Sequence, residues 1–439
     1  MPKKASLLDQ LFLAGAMFFF MGALFPVLRS GSDAAASDDL KLVDTREGDK
    51  FNQIVAAGIF FSAGFLCLNR DFRGLGQVAR RMRLPLALVA WAFLSTAWSD
   101  VPSVTIRKSL ALGLTTFLFL YIGSTFSLAE FVRVTRYMLL FEAVLSLFFG
   151  AFLPGLGREN SLYYEGIWRG IFSEKNMLGR YMTIGALGTI MPSLMRHRWG
   201  ERLSFVLYCI LVILSGSRSS WGMLGGMVML TLCIIGIYRL RDRLSRQLAG
   251  TALVTFGVVM GIIVLALKDQ LLESVGRDAT LTGRTDLWEL LWVAICDQPL
   301  RGYGFGAFYV EGAGAAKYVW SQTTWWKAGY SHNAVFDVWV ELGFVGVVMF
   351  VSIFAISVYR SLKGIMPSRD PNRFWLLFLG MTLIMWGITD ISPLRGNSTE
   401  YIFMCAIFYY SSLKDEPSSV GAVVPVKSRK RRVRTARLS

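Results

Sequence analysis

The sequence is poor in the residues that metal and redox chemistry draw on. It has two histidines, His197 and His332, and five cysteines, Cys67, Cys209, Cys233, Cys296 and Cys405. Most of the cysteines lie inside apolar stretches and none forms a CxxC pair, so neither a disulfide framework nor a zinc site is indicated. No HExxH, P-loop or GxSxG element stands where it could work, and no acidic pair suited to a metal and a nucleotide sugar stands on the basic side of the chain. The alternation of apolar and polar residues that a membrane barrel requires is absent. No internal repeat is visible, which argues against transporters built from inverted repeats.

Apolar residues are what the chain has in abundance: 54% of 439 residues are hydrophobic and only 17% are charged. They fall in stretches long enough to cross a bilayer as helices, the one open-ended structure that closes its own backbone hydrogen bonds in lipid. The start MPKK followed by 7–28 has too long an apolar run for a cleaved leader and is read as an uncleaved first span. Further spans are expected near 53–68, 85–98, 106–124, 137–153, 176–195, 204–215, 219–238, 249–267, 333–358, 374–391 and 400–413. This makes an all-α polytopic protein of about twelve spans. The stretch before Gly216 is short enough to be half of a broken helix.

The formal charge of +16 could suggest nucleic acid, but the Lys and Arg residues cluster in short loops between apolar runs. Arg70, Arg73, Arg80, Arg81 and Arg83 share one such loop, Arg196, Arg198 and Arg202 a second, and Arg239, Arg241, Arg243 and Arg246 a third. That is the positive-inside pattern, and it places these loops and the tail 414–439 in the cytoplasm. The tail reads as a topology anchor beside anionic lipid, with no nucleic-acid partner expected. Residues 1–413 form one transmembrane domain. Its outer face carries an acidic loop at 33–49 and a long segment, 268–331, with helical periodicity and many aromatics. A loop of this length is usually functional or disordered.

Several residues could carry chemistry on that face. Arg218, in LSGSRSSWG, is either an Arg snorkelling at a helix end or a fixed cation at the mouth of an outward cavity. Arg284 stands in TLTGRTDLWELLWVAICDQP, where Leu287, Leu290, Leu291 and Ala294 mark an amphipathic helix. Asp286 and Glu289 resemble a capping box and Pro299 lies beyond the end. An Arg beside a helix N-terminus suits phosphate, or is merely solvated. His332 begins SHNAVFDVWVELGFVG. Its imidazole can accept a proton near neutral pH, or simply cap the span. Asn333 is its natural hydrogen-bonding neighbour, and Asp337 and Glu341 follow on one helix face. Glu341 would lie two turns into the membrane, where a carboxylate is expensive unless paired. The segment 301–308, RGYGFGAF, follows a helix and not a strand, so it reads as a tight turn and not a nucleotide loop. Trp320, Trp325, Trp326 and Tyr330 could stack on sugar rings or form an interfacial belt. Arg169, Glu174, Lys175 and Asn176, in WRGIFSEKNMLGRYM, suggest a capped helix start with anion contact. His197 lies in a basic loop and is given no role.

Taken together, GSRSS after a span, GRTDLW with its downstream Pro and GYGFGAF, and HNAVFDVWVELGFVG resemble the O-antigen ligase and O-antigen polymerase superfamily over 160–350. The resemblance implies a bacterial inner-membrane enzyme that works on the outer, periplasmic face without metal or other cofactor. It would take a glycan from undecaprenyl diphosphate and pass it to a sugar hydroxyl, on another glycan or on the lipid A core. It implies that Arg218 and Arg284 hold the diphosphate and that His332 assists the acceptor hydroxyl, with Arg169, Lys175, Asn333, Glu341, Trp325 and Trp326 lining the substrate. Membrane lipids and proteins of polysaccharide chain-length control or export would be its partners. The segment GIFSEKNMLG is more similar to exopolysaccharide polymerases than to ligases. A transporter or flippase would not need a long outer loop bearing a helix and a boundary histidine. A membrane acyltransferase would draw its acyl donor from the cytoplasm, on the wrong side of His332.

Overall fold

The computed structural model describes residues 5–24, 50–68, 72–159, 165–196, 199–240, 284–310, 313–322, 328–368, 370–389 and 392–413. Among them every regular element is a helix, apart from one isolated bridge between Arg158 and Trp168. The helices are α1 (Leu7–Phe20), α2 (Lys50–Leu68), α3 (Phe72–Arg81), α4 (Arg83–Leu94, continued by a 3₁₀ turn at Ser95–Trp98), α5 (Pro102–Thr125) and α6 (Leu128–Phe152). After a one-turn helix at Pro154–Gly157 come α7 (Lys175–Arg196), α8 (Trp199–Leu214), α9 (Arg218–Arg239), α10 (Arg284–Asp297), α11 (Gly314–Gln322), α12 (Ala334–Ser368), α13 (Pro371–Thr389) and α14 (Thr399–Ser411). The span expected at 249–267, the tail 414–439, His197 and the pair Trp325 and Trp326 lie outside the described residues.

Helix starts follow the local chemistry. Ser6 and Asp9 form a reciprocal capping box on α1, and Ser127 and Glu130 do the same on α6, each satisfying N–H groups that a helix start leaves open. Pro102 opens α5, where its missing N–H costs nothing. Among the described residues four helices are long and apolar enough to cross a membrane: α2, α5, α6 and the part of α12 from Ala334 to Gly364. Leu7–Phe20 and Arg83–Trp98 are shorter apolar helices.

Helix α6 shows how these elements solve the solvent problem. Tyr137, Phe141, Val144, Phe148 and Phe152 form an exposed stripe, while Thr135, Glu142 and Ser146 are buried against the bundle. Large apolar residues outside and polar residues inside invert the pattern of a water-soluble helix and fit a lipid-facing one. The interior is held by aromatic packing, with Phe131 against Tyr410, Phe403 and Trp375. Helix α8 runs without interruption to Leu214, and α9 begins at Arg218 after a turn at Gly216. A break inside a helix falls in α12, at Gly343 (φ +67°, ψ −172°).

A chain of contacts gathers one set of helix ends. Gly179 in α7 meets Ser217 and Ser220 at the start of α9. Tyr181 donates its hydroxyl to Glu400 in α14 at 2.8 Å. Gly387 in α13 approaches Ala334 in α12. The loop joining α13 to α14 therefore lies beside the starts of α7, α9, α12 and α14, and the site is built around it.

Candidate active site

The turn that presents His332 is closed by its neighbours. The Ser331 N–H donates to Asp337 Oδ1 at 2.7 Å, the Ser331 hydroxyl donates to the Asn333 carbonyl at 2.6 Å, and the Asn333 N–H returns to Ser331 Oγ at 3.0 Å. Asn333 Oδ1 accepts the Val335 N–H at 2.9 Å. The side chain of Asn333 thus caps α12, where the sequence suggested a partner for the imidazole. These bonds hold His332 at φ +56°, a left-handed conformation that a residue with a Cβ keeps only when its surroundings fix it. Its ring packs on Tyr330, with centroids 4.1 Å apart. The guanidinium of Arg395 lies over the other ring of the pair, 5.2 Å from the Tyr330 centroid.

Helix α10 supports the same turn from outside the bundle. Trp288 Nε1 donates to the Ser331 carbonyl at 2.8 Å, and the indole stacks on Phe336 with an interplanar angle of 13°. The GRTDLW and SHN motifs are therefore one unit, joined by a tryptophan and a carbonyl. Arg284 is the first residue of α10, one turn before Trp288.

The glycine-rich segment is a plug for the broken helix. Past Gly343 the backbone of α12 cannot close its own bonds. Tyr303 N–H donates to Val340 O at 2.8 Å, Gly304 N–H to Glu341 O at 3.0 Å, and Trp91 Nε1 to Leu342 O at 2.9 Å. On the far side of the break, Phe344 N–H donates to Pro299 O at 2.8 Å. Gly302, Gly304 and Gly306 all have positive φ. A Cβ on Gly302 would lie 2.7 Å from the Glu341 carbonyl carbon. The glycines are needed so that one backbone can approach another, as the close docking of chain on chain requires.

That docking fixes Glu341 in an electrostatic setting. Its carboxylate accepts the Gly306 N–H, and Lys108 of α5, Asp337 and Arg395 are the charges that act on it. Lys108 also touches the Gly306 position, where a Cβ would collide with its side chain. Tyr309 is buried beside Asp337 and Glu341; burial first, and then these carboxylates, push its hydroxyl above the usual tyrosine range, so it stays protonated. Asp100 reaches the N–H groups of Ala315 and Gly314 and so caps α11. Partial burial and Asp297 raise its carboxyl, and those two N–H groups oppose the shift.

The other expected residues sit around the start of α7. Lys175 opens that helix, and its N–H donates to Glu159 Oε1 at 2.9 Å. Arg169 donates to the Leu156 carbonyl at 3.1 Å and ties down the preceding loop. Arg180, almost fully buried, pairs with Glu174 at 3.5 Å. Arg218 is the first residue of α9, exposed, after the turn at Gly216 (φ +59°). The structure therefore brings His332, Asn333 and Glu341 onto one element, places Arg169 and Lys175 on a second, and puts Arg218 on a third that abuts the second. The sequence reading passed over two residues here: Arg395, which lies over Tyr330 beside His332, and Lys108, which acts on Glu341. Lys108 carried a signal: a cation beside an apolar run needs a partner.

Residues 203–351, from α8 through the first half of α12, match the O-antigen ligase family. The chain is 26% identical to the exopolysaccharide production protein ExoQ of Rhizobium meliloti (strain 1021), over 78% of its own length and 79% of that protein's. The matched region holds Arg218, Arg284, the glycine plug, His332 and Glu341. The chain is thus similar to the O-antigen ligase family over residues 203–351, and to an exopolysaccharide production protein over most of its length.

Proposed function

We propose that this protein is a membrane glycosyltransferase of surface-polysaccharide biosynthesis. It would move a glycan from an undecaprenyl-diphosphate-linked donor to a sugar hydroxyl on the periplasmic face of the bacterial inner membrane. The observation that carries this reading is the His332 turn, locked by Ser331, Asp337 and Trp288 and flanked by Tyr330 and Arg395. In the proposed step the bond between the anomeric carbon and the diphosphate oxygen breaks and a bond to the acceptor oxygen forms. His332 takes the hydroxyl proton, and the diphosphate leaves with its own electron pair. Arg218 and Arg284 would neutralise the charge that develops on it, which needs no metal. Lys175 and Arg169 border that path, and Trp325 and Trp326 would supply stacking for sugar. Glu341 would act indirectly, holding Lys108 and the glycine plug in place behind the turn.

The ExoQ similarity and GIFSEKNMLG favour chain polymerisation. The O-antigen ligase match keeps transfer to the lipid A core as the second reading. We place further spans at α1, α4, α7, α8, α9, α13, α14 and 249–267, for about twelve in all.

Arg218→Ala and Arg284→Ala should each reduce transfer by about a hundredfold or more, the usual effect of removing one transition-state donor, while the protein still inserts. Lysine at either position should restore only part, because a point charge lacks the two-pronged fork of the guanidinium. Wild-type turnover in Arg284→Ala would return that residue to a solvated helix end. Orientation is tested separately: reporter fusions after Arg246 and after Lys317 should give opposite signals, cytoplasmic and periplasmic. Equal signals would overturn the orientation and the proposed mechanism with it.

A further inference from the structure

We infer that the opposite, basic end of the bundle carries a second binding site, for a phosphate-bearing anion, filled by the headgroup of an anionic phospholipid. A cleft of about 770 Å³ opens there between the α3–α4 junction, the far end of α12 and the start of α13. Arg80, Arg81, Arg83, Arg360, Lys363 and Arg373 line it, and among the described residues no Asp or Glu does. Its size is within the range of pockets that enclose small ligands.

The ordinary account of basic residues at this end is topology, and it explains their sign. It does not explain a concave wall of like charges. Surface charges repel one another at close range, and topology alone leaves long side chains free to splay into water. Some of the six do structural work. Arg81 donates to the Ser412 carbonyl and Arg373 to the Leu413 carbonyl, each at 2.9 Å, closing the end of α14. Arg80 reaches its own helix at the Gly76 carbonyl. Arg360, Arg83 and Lys363 remain. The Arg360 guanidinium is held over Phe408 at 5.3 Å, and its Nη1 is shut off from water with no hydrogen-bond acceptor. Arg83 and Lys363 are exposed. Three cations, one of them fixed on an aromatic ring and none with an acidic residue beside it in the cleft lining, form a cradle whose charge a phosphate would balance.

The bilayer is the natural source of that phosphate. On α12 the exposed residues Phe344, Val348, Val351, Tyr359 and Leu362 make one stripe at helical spacing that runs toward the cleft. Acyl chains lying along this stripe would place their headgroup at Lys363 and Arg360, as basic pockets between membrane helices hold phospholipid headgroups. This site is separate from the proposed transfer chemistry and does not rest on it.

The test uses the full-length protein in phosphatidylcholine vesicles containing a trace of spin-labelled phosphatidylglycerol or spin-labelled phosphatidylcholine. Wild type should immobilise the phosphatidylglycerol label about tenfold more than the phosphatidylcholine label. Arg83→Gln/Lys363→Gln should lose the difference, and Arg83→Lys/Lys363→Arg should keep it. Both substituted residues are exposed, and thermal unfolding checks that each variant is folded. A parallel arm adds inorganic diphosphate to detergent-purified protein. A stabilising shift that the Gln variant loses, with no preference between the two lipid labels, would support the phosphate site and assign it to a soluble anion. Equal immobilisation of both labels with no diphosphate shift, or full retention of either signal in the Gln variant, would overturn the site.

Discussion

His332→Ala is expected to lower glycan transfer roughly a hundred- to ten-thousand-fold, the value of a positioned general base, while donor binding survives. In the proposed division of labour the diphosphate is held by charge on Arg218 and Arg284, and only the proton transfer belongs to the imidazole. The position itself complicates the substitution. His332 has φ +56°, so alanine there also carries backbone strain, of about 1–3 kcal/mol. His332→Asn is the better partner variant, because asparagine enters that conformation more readily and offers no base of comparable strength. Both variants should lose turnover per folded molecule, with the asparagine protein folding closer to wild type. If His332 only shapes the turn, His332→Asn should work nearly normally, and donor binding and turnover should fall together in His332→Ala.

Gly343→Ala is expected to abolish accumulation of folded protein, or nearly so. Two independent costs act at this residue. Its φ of +67° with ψ near 180° is a region that glycine alone occupies readily. A Cβ would also be driven into the backbone of Leu300 and Arg301. The alternative, an intact helix through this point, would displace the plug and strand the N–H groups of Tyr303 and Gly304, which now bond to Val340 and Glu341. Unpaired backbone groups in that position cost several kcal/mol more. Detergent-extracted yield and thermal unfolding measure the effect directly. A normal yield and a wild-type midpoint would show that the break is not needed.

These two residues also mark how far the sequence could be read. Apolar runs located helices well where composition is uniform: the expected 106–124 became Pro102–Thr125, and 374–391 became Pro371–Thr389. The reading failed where charge enters a membrane helix. Helix α6 begins at Leu128, not near 137, because Glu130, Arg133 and Arg136 look like a loop. The Ser127–Glu130 capping box was the signal for the true start. The break at Gly343 was not legible, since a lone glycine in an apolar run is normally tolerated; only the docked 299–304 segment reveals what it is for. Within the proposed site, the grouping of His332, Asn333 and Glu341 was legible because they follow one another at one helix start, but the capping role of Asn333 was not. Lys108 and Arg395 were not legible, because they come from α5 and from the α13–α14 loop, far away in sequence. The link from Trp288 to Ser331 is likewise long-range, and it explains why two motifs more than forty residues apart belong to one site.

The central claim is that the protein itself makes a glycosidic bond from a lipid-linked donor. Its most direct test is reconstitution of the purified protein with undecaprenyl-diphosphate-linked glycan and two acceptors in separate reactions, a second lipid-linked glycan and a lipid A core. There should be no ion gradient across the vesicles, and EDTA should be present throughout. The account predicts a longer lipid-linked glycan with release of undecaprenyl diphosphate, unaffected by the chelator and absent with His332→Asn. Product on the lipid A core instead would choose the ligase reading within the same chemistry. No new glycosidic product with either acceptor from well-folded wild-type protein, or product that appears only when a divalent ion is restored, would contradict it.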